Sequence, residues 1–388
     1  MLRYLRPSQG SSAIAPALRY LRPSLGSSVI APAWRYLRLS LGSSVIAPAW
    51  RYLRPSLGSY CGVLIVLVVL LTACAKPYVQ PPAGQRSQTS LNGRYAVMDD
   101  GYRLPLSQWQ AEGSAHAVVL AVHGMNDYGN SFDSTGRYLS QNNITVIAYD
   151  QRGFGYTQGH GLWHGAERLV QDLHVMTGLL RRRYPDQPLY LLGESMGGAV
   201  VLASLSPEPP DIDGIILVAP AVWPRSSMPY YQRALLWFAA HTMPGKQLTG
   251  EGLDLKPSDN IEMLRALGRD PLVIKATRVD VLYGVSNLMD NAQAASSNLN
   301  SATLILYGEN DEIIPKPPTC RWLQSLPANA EHGAQTVIYE DGYHMLTRDL
   351  QADTVLHDIT RWLLSANKQG LAEINPADRM HVESFCVH

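Results

Sequence analysis

The chain has 388 residues and a formal net charge of zero, with 32 basic and 32 acidic residues. The charges are unevenly distributed, because eleven basic residues and no acidic residue precede Asp99. From Asp99 onward 21 basic and 32 acidic residues remain, a net charge of −11. This acidic balance argues against a nucleic-acid-binding protein, which needs a basic surface.

Residues 1–59 consist of a basic repeat with a period of 16 residues. Three copies span 2–17, 18–33 and 34–49, and a fourth begins at Trp50. Each full copy contains glycine and proline, which disfavour a continuous helix. One interpretation is a basic arm that contacts anionic lipid. We favour another, that tandemly repeated DNA upstream of the gene is included in the reading frame, so that these residues are not part of the natural product.

Residues 60–74 are typical of a signal peptide. Nine consecutive aliphatic residues, from Val63 to Leu71, match its apolar core and are too few for a membrane-spanning helix, which needs about 20 residues. The segment ends in LTAC, which resembles a bacterial lipobox, where the cysteine is lipidated and becomes the mature N-terminus. The resemblance implies a lipoprotein of the bacterial cell envelope, anchored through Cys74, and Ala75 favours the outer membrane, facing the periplasm. An ordinary secretory signal and a buried strand are the alternatives.

The rest of the chain divides into a tether, one domain and a tail. Residues 75–93, rich in Pro, Gln, Ser and Gly, predict a flexible tether. From 94 to 366 apolar strand patterns alternate with helical patterns, which indicates an α/β domain with a mostly parallel sheet and helices on both faces. An insertion at about 221–300, rich in aromatic residues, predicts a helical cap. Residues 367–388 show no periodicity and predict a loose tail.

Two predicted strands in the first half of the domain end in polar motifs. The strand at 117–122 is closed by HGM at 123–125, and the strand at 144–149 runs into DQRGFG. In parallel sheets the carboxyl ends of strands are where functional loops gather. We interpret His123 as a brace for its loop and Arg152 as the residue that fixes the loop after its strand.

The motif GESMGG at 193–198 follows an apolar run and precedes a helical pattern of small residues. In a G-x-S-x-G turn between strand and helix, only small residues fit on either side of the serine, whose hydroxyl is left exposed at the end of the sheet. Ser195 is therefore the candidate nucleophile. An ordinary turn serine is the alternative.

Two later strands lead into a carboxylate and a histidine. The strand at 302–307 is followed by GENDEIIP, which contains Asp311, and the strand at 335–339 is followed by His344. A serine, an aspartate and a histidine in this order match a catalytic triad, in which the histidine is the base and the aspartate orients it.

Other residues compete for these roles. Glu309 and Asp341 are alternatives to Asp311. His332 is an alternative to His344, but it lies before the last strand, on the wrong side of the sheet.

Five further polar residues have simpler interpretations. His160 and His164 flank a short GLW segment, but no cysteine or carboxylate cluster supports a metal site there. Asp172 is expected on a solvated helix face. Cys320 and Cys386 either form a disulfide, as an exported protein allows, or stay unpaired.

The motifs HGM, DQRGFG, GESMGG, GENDEIIP and GYH together resemble the monoacylglycerol lipase and lysophospholipase branch of the α/β-hydrolase family, over about residues 94–366. The resemblance implies the α/β-hydrolase fold, with eight strands and a cap over the active site. It implies a serine esterase that uses Ser195, Asp311 and His344 and requires no metal or cofactor. It also implies that the amides of Met125 and Met196 form the oxyanion hole. The expected substrate is a lipid-like ester, monoacylglycerol or lysophospholipid.

Two other functions stay open. Aminopeptidases of the proline iminopeptidase type share DQRG and G-x-S-x-G-G, but they typically carry HGGPG at the oxyanion loop, where this chain has HGMND. A catalytically silent lipoprotein that binds a partner is the second, and an intact triad argues against it. The cap aromatics Trp237 and Phe238 either pack internally or hold an acyl chain.

Overall fold

The computed structural model describes residues 77–84, 86–327, 334–365, 379–380 and 382–387. The predicted repeats, the signal segment with Cys74, and His332 lie outside these residues. None of the helices in the described part has the length and apolar character of a membrane span.

The strands of the described residues are β1 (Ser90–Leu91), β2 (Tyr95–Val97), β3 (Arg103–Trp109), β4 (Ala117–Val122), β5 (Ile144–Tyr149), β6 (Leu189–Glu194), β7 (Gly214–Val218), β8 (Gln247–Thr249), β9 (Ala276–Arg278), β10 (Ala302–Gly308), β11 (Ala334–Tyr339) and β12 (Arg379–Met380).

The α-helices of the same residues are α1 (Asp133–Gln141), α2 (Ala166–Arg183), α3 (Met196–Ala203), α4 (Tyr230–Thr242), α5 (Ile261–Arg269), α6 (Val279–Ala295), α7 (Lys316–Ser325), α8 (Ala352–Leu364) and α9 (Val382–Val387). Short 3-10 turns precede α1 and α4 and follow α6.

One sheet contains ten of these strands, in the order β1-β2-β3-β5-β4-β6-β7-β10-β11-β12. The six strands from β5 to β11 in this order run parallel, and the strands outside them pair antiparallel. The prediction of a mostly parallel sheet is confirmed. The expected count of eight strands is too low by two, because the two-residue strands β1 and β12 extend the edges.

The central strands are apolar and buried along their whole length. Such continuous runs form where helices cover both faces of a sheet. Successive side chains of β4 point to opposite faces: Val118 and Leu120 join the core that contains α2, α3 and α6, and Val119 joins the core that contains α1 and α8. The loops at the carboxyl ends of the parallel strands therefore gather at one edge.

The insertion between β7 and β10 is a cap only in its first part. Most residues of α4, of α5 and of the antiparallel pair β8–β9 are exposed or partly exposed. In α6, by contrast, Val285, Leu288 and Ala292 are buried in the core that also contains α3. Because of this packing α6 belongs to the α/β layers, so the cap ends at about residue 278 rather than 300, and it contains a strand pair as well as helices.

The segment predicted as a flexible tether is bound to the domain over its described part. The amide of Gln80 donates to the carbonyl oxygen of Trp163 at 2.7 Å, and the amide of Ala83 donates to the Asp100 carboxylate at 3.0 Å. β1 then pairs with β2. The composition of this segment carries no signal for these backbone hydrogen bonds, and the prediction of a free tether is wrong there.

The C-terminal segment is also held in place. β12 pairs with β11, and Phe385 of α9 is buried in the core. A disulfide joins Cys320 of α7 to Cys386 of α9. The prediction of a loose tail is therefore wrong for residues 379–380 and 382–387, and of the two alternatives for the cysteines the structure has the paired one.

Removing this disulfide should destabilise the domain. The double variant Cys320→Ser, Cys386→Ser opens a covalent loop with a sequence separation of 66 residues, and we expect the free energy of unfolding to fall by about 2–4 kcal/mol. Guanidinium unfolding without reductant measures this difference. Dithiothreitol should destabilise the wild type by a similar amount and leave the double variant unchanged. Equal stability of the two proteins under both conditions would contradict the expectation.

Candidate active site

Ser195 lies in the turn that joins β6 to α3. Its backbone has φ 54° and ψ −117°, a sparsely populated conformation that costs about 1–3 kcal/mol. The neighbouring strand holds this turn, because the Ser195 amide donates to the carbonyl oxygen of Val218 at 3.0 Å. The Ser195 carbonyl oxygen accepts from the amide of Ala221 at 2.9 Å. Hydrogen bonds of both the amide and the carbonyl group of Ser195 thus hold the strained turn in place.

Two glycines make this turn possible. A Cβ atom on Gly197 would lie 1.9 Å from the carbonyl oxygen of Val122, and one on Gly193 would lie 2.7 Å from the Cα of Gly198. Both distances are far inside van der Waals contact. The first and last glycines of the G-x-S-x-G motif are therefore required by close backbone approach, as the sequence predicted.

His344 bridges the other two predicted triad residues. Its Nε2 lies 2.9 Å from the Ser195 Oγ, and its Nδ1 lies 2.8 Å from the Asp311 Oδ2. These contacts fit a tautomer in which Nδ1–H donates to the carboxylate and Nε2 accepts from the hydroxyl. The three side chains come from loops after β6, β10 and β11, at one edge of the sheet.

Asp311 is held for this contact by its own loop. Its Oδ1 accepts from the amides of Ile313 and Ile314, at 2.8 and 3.0 Å, which leaves Oδ2 for His344. The side chain is 4% exposed. The competing carboxylate of Asp341 is exposed. The Nδ1 of His344 instead makes its hydrogen bond with Asp311.

The pKa of His344 is raised above its ordinary value. Burial alone would lower this pKa, because it disfavours the charged imidazolium. The charge and hydrogen bond of Asp311, with a contribution from Glu194, outweigh the burial and the opposing charge of Arg348. The site therefore stabilises the protonated form that a general base takes up during a reaction.

The predicted oxyanion loop runs directly against Ser195. A Cβ atom on Gly124 would lie 3.3 Å from the Cβ of Ser195. Met125 follows this glycine, and Met196, which is 1% exposed, follows the serine as the first residue of α3. The structure thus places Gly124, the residue before Met125, against Ser195, and Met196 adjoins Ser195 in the chain.

Asn126 ties this loop to the cap, a role that the motif analysis did not identify. It has a φ of 68°, its carbonyl oxygen accepts from the Ile274 amide at 2.9 Å, and its Nδ2 donates to the Thr277 Oγ1 at 2.7 Å. An asparagine tolerates a positive φ better than most residues. An asparagine that follows a strand was the only sequence signal for this feature.

His123 braces the loop, as predicted. Its Nδ1 contacts the Gly124 carbonyl oxygen at 2.8 Å, and its Nε2 accepts from the Gln151 amide at 2.9 Å. The Gln151 side chain donates to the His123 carbonyl oxygen at 2.7 Å. Burial lowers the pKa of His123, so the ring is neutral at neutral pH and serves as a hydrogen-bonding bridge between two loops.

Arg152 fixes its loop through a buried ion-pair cluster. Its guanidinium donates to both oxygens of Asp100, at 2.7 and 2.8 Å, and its Nε donates to Asp172 at 2.5 Å. Arg168 also donates to Asp172, at 3.1 Å. Asp172 is only 1% exposed, so its prediction as a solvated residue is wrong. Helical spacing could not show that an arginine from another loop reaches it.

A second buried cluster lies beside the triad and was missed by the sequence reasoning. Arg348 donates to Asp127 at 2.8 Å and to Glu194 at 2.9 Å. The only local sequence signal was Glu194 itself, a charged residue at the end of a buried apolar strand, where charges are rare unless paired.

The cap forms a cavity of about 1120 Å³ with α6. Trp237 and Phe238, which are 51% and 56% exposed, line it together with Tyr230 and Tyr283. These aromatics therefore face open space and are not packed in the core. The lining contains none of the triad residues and neither Met125 nor Met196, so the interpretation in which Trp237 and Phe238 hold an acyl chain stays a prediction.

The two histidines considered for a metal site do not form one. His160 contacts the carbonyl oxygen of Leu272 at 3.0 Å, and His164 packs edge-on against Tyr102. Within the described ranges, no group of three or more His, Cys, Asp or Glu side chains is arranged to hold a metal ion.

Comparison with known proteins identifies related sequences. The Hydrolase_4 family, described as serine aminopeptidase, S33, matches residues 113–351. Monoglyceride lipase from Rattus norvegicus is 25% identical over 297 residues, covering 73% of this chain and 95% of that protein. Monoacylglycerol lipase from Mycolicibacterium smegmatis is 24% identical over 271 residues, covering 68% of this chain and 94% of that protein.

Comparison with solved structures identifies the fold. A soluble variant of monoglyceride lipase from Saccharomyces cerevisiae, in complex with a substrate analog, superposes with a TM-score of 0.59 at 20% sequence identity. The match covers 73% of this chain and 98% of that chain. Together with the parallel sheet and its buried helices, this likeness confirms the α/β-hydrolase fold.

The raised pKa of His344 can be measured directly. Titration of the imidazole by NMR should give a pKa above about 6.5, the usual value for histidine, because Asp311 stabilises the imidazolium. In Asp311→Asn the neutral amide removes that stabilisation and burial dominates, so the pKa should fall below this value. Since the neutral form is the base, the functional fraction in the wild type decreases as the pH falls through the raised pKa. The same pKa in both proteins would contradict this electrostatic account.

Proposed function

Because this chain belongs to the Hydrolase_4 family, we propose that it is a serine hydrolase that cleaves carboxylic esters of lipids, most specifically monoacylglycerols or lysophospholipids. The observation that carries the proposal is the position of His344 between the Ser195 hydroxyl and the Asp311 carboxylate, at 2.9 and 2.8 Å. A general base and its orienting carboxylate need contacts of this length.

In the first step the Ser195 Oγ attacks the carbonyl carbon of the ester while His344 Nε2 removes the hydroxyl proton. The bond from the carbonyl carbon to the alcohol oxygen then breaks, and His344 gives the proton to the leaving alcohol. Asp311 holds the tautomer with hydrogen on Nδ1 and stabilises the imidazolium. The acyl group remains as an ester on Ser195.

In the second step water releases the acyl group. His344 removes a proton from the water, which attacks the acyl carbon, and the bond to the Ser195 Oγ breaks as the serine regains its proton. In both reaction steps, every proton comes from the Ser195 hydroxyl or from water and passes through His344. The carboxylic acid is the second product.

The tetrahedral oxyanion formed in both steps would be bound by the amides of Met125 and Met196. The close approach of Gly124 to Ser195 supports this role. Each such donor is worth about 3 kcal/mol of transition-state stabilisation in other hydrolases. The hydrogen bonds of Asn126 to the cap and of His123 to Gln151 keep the loop in place for it.

A lipid substrate is supported by the relatives and by the cap. Two of the similar proteins, from Rattus norvegicus and Mycolicibacterium smegmatis, are a monoglyceride lipase and a monoacylglycerol lipase. In this chain the cavity beside the cap is lined by aromatic side chains, Trp237 and Phe238 among them, which offer the apolar surface that an acyl chain would bury.

An aminopeptidase is the second candidate, since the family is described by that activity. An aminopeptidase has to bind the ammonium group of a free N-terminus, and a buried carboxylate is the usual partner for such a group. The buried carboxylates next to Ser195, Asp127 and Glu194, are already paired with Arg348, at 2.8 and 2.9 Å. This pairing and the HGMND oxyanion loop favour the esterase. The intact hydrogen-bond chain of the triad disfavours a silent binding protein.

We also propose that the domain acts at a membrane of the bacterial cell envelope, anchored through a lipid on Cys74. The lipobox-like LTAC sequence supports this location. The disulfide between Cys320 and Cys386 supports it independently, because disulfides persist in exported proteins and are rare in the cytosol.

A substrate panel with a nucleophile variant tests the activity. The wild type should hydrolyse monoacylglycerols and lysophospholipids faster than aminoacyl anilides. Ser195→Ala should lower kcat by about 10⁴- to 10⁶-fold, because the attacking oxygen is lost. The matched control Ser297→Ala, which removes an exposed serine hydroxyl in the 3-10 turn after α6, should behave as the wild type.

Three outcomes would go against the proposal. Retained turnover in Ser195→Ala would rule out Ser195 as the nucleophile. Faster cleavage of aminoacyl anilides than of any ester would favour the aminopeptidase. A wild type that turns over no member of the panel would favour the silent binding protein.

A further inference from the structure

Arg348 lies at the meeting point of three segments that the reaction needs. We propose that this arginine is a positioning residue, which holds the oxyanion loop, the nucleophile turn and the histidine loop in register through Asp127 and Glu194. The inference rests on the proposed function, because register matters only if Ser195 reacts. No motif used to recognise the triad contains Arg348.

The contacts are short and buried. The Arg348 Nη1 donates to the Asp127 Oδ2 at 2.8 Å, and Nη2 donates to the Glu194 Oε1 at 2.9 Å. The side chains of Arg348, Asp127 and Glu194 are 9%, 8% and 2% exposed. Solvent screening is therefore weak, and each bond fixes the two atoms that it joins.

The three residues of the cluster lie in the three segments that carry the predicted oxyanion amide, nucleophile and base. Asp127 stands two residues after Met125, in the predicted oxyanion loop, and Glu194 directly precedes Ser195. Arg348 stands four residues after His344. One guanidinium thus connects the segments that carry the oxyanion amide, the nucleophile and the base, which come from distant parts of the sequence.

Stability alone does not account for this cluster. Removing two carboxylates and a guanidinium from water costs about as much as their attraction returns, so a buried ion pair is a weak source of stability compared with apolar packing. The cluster contributes fixed geometry instead, because a planar guanidinium with two partners restricts both distance and angle. A displacement of about 1 Å in a catalytic site can cost on the order of 100-fold in rate.

The same charges act on the base electrostatically. Asp311 and Glu194 raise the pKa of His344, and Arg348 lowers it. The other charged group in the cluster, Asp127, contacts Arg348, and burial keeps the nearby His123 neutral. Asp349, on the same loop as Arg348, accepts from the Tyr343 amide at 2.8 Å and from the Ser258 hydroxyl at 2.5 Å. Changes of Glu194 and Arg348 should therefore shift the pH dependence in opposite directions.

The experiment compares four variants of the full chain with the wild type: Arg348→Met, Arg348→Lys, Glu194→Gln and the matched control Arg168→Met. Arg168 also contacts two carboxylates, Asp99 and Asp172, and its side chain is 13% exposed, but it lies on α2 in the other ion-pair cluster. For each protein the measurements are kcat, KM and the acidic limb of kcat/KM for one ester, with Tm as the test of folding.

We expect Arg348→Met to lower kcat about 10- to 100-fold with KM within about twofold, because the arginine acts on geometry and not on substrate binding. Its acidic limb should move to higher pH, and that of Glu194→Gln to lower pH, by up to about one pH unit. Arg348→Lys keeps the charge but loses the two hydrogen-bonding arms of the guanidinium. Its acidic limb should therefore lie close to that of the wild type, whereas its kcat should stay lowered. Arg168→Met should change neither kcat nor the limb, whatever its Tm.

Two results would overturn the inference: a folded Arg348→Met with the kcat and pH profile of the wild type, or equal losses in Arg348→Met and Arg168→Met. If Arg348→Met does not fold, Arg348→Lys and Glu194→Gln decide by the same criteria. If the wild type hydrolyses no ester, the proposed function fails separately. The positioning of the base is then read from the NMR signals of the His344 ring, which Arg348→Met must shift and Arg168→Met must leave unchanged for the inference to stand.

Discussion

The whole site depends on how closely the turn at Ser195 packs against β4. The carbonyl oxygen of Val122 occupies the space that a side chain at residue 197 would need. This contact sets the start of α3 against the end of β4, and with it the distance between Ser195 and the loop of Met125. The strained backbone of Ser195 persists because parallel strands on both sides of β6 hold the turn.

Buried charge is the second organising feature. Two arginines, Arg152 and Arg348, each bridge two carboxylates that are distant from one another in the sequence. Backbone hydrogen bonds hold the turn at Ser195 to the neighbouring strand, and the planar guanidinium groups add contacts that restrict both distance and angle. The scaffold is therefore apolar, and buried ionic contacts add to the backbone hydrogen bonds that hold the loops at its carboxyl edge.

The sequence predicted what depends on local pattern and missed what depends on contacts between distant residues. The apolar runs at β4, β5, β6, β7 and β10 specified the sheet, and G-x-S-x-G specified its own turn, because these signals are short-range. Asp172 was misjudged because its partner Arg152 comes from another loop. The predicted cap was too long because α4 and α6 are both rich in apolar residues, and composition does not show that mainly those of α6 are buried in the core. The segment before β2 and the C-terminal segment are held by backbone hydrogen bonds and a disulfide. The composition of these segments does not predict such contacts.

The most direct test of the account is whether Ser195 is activated by the fold. A fluorophosphonate probe should label the wild type at one peptide, and mass spectrometry should place the adduct on the Ser195 Oγ. Ser195→Ala and urea-unfolded wild type should remain unlabelled, because reactivity requires both the hydroxyl and its contact with His344. Labelling at another serine, or equal labelling of the folded and unfolded protein, would contradict the claim that this triad is the active site.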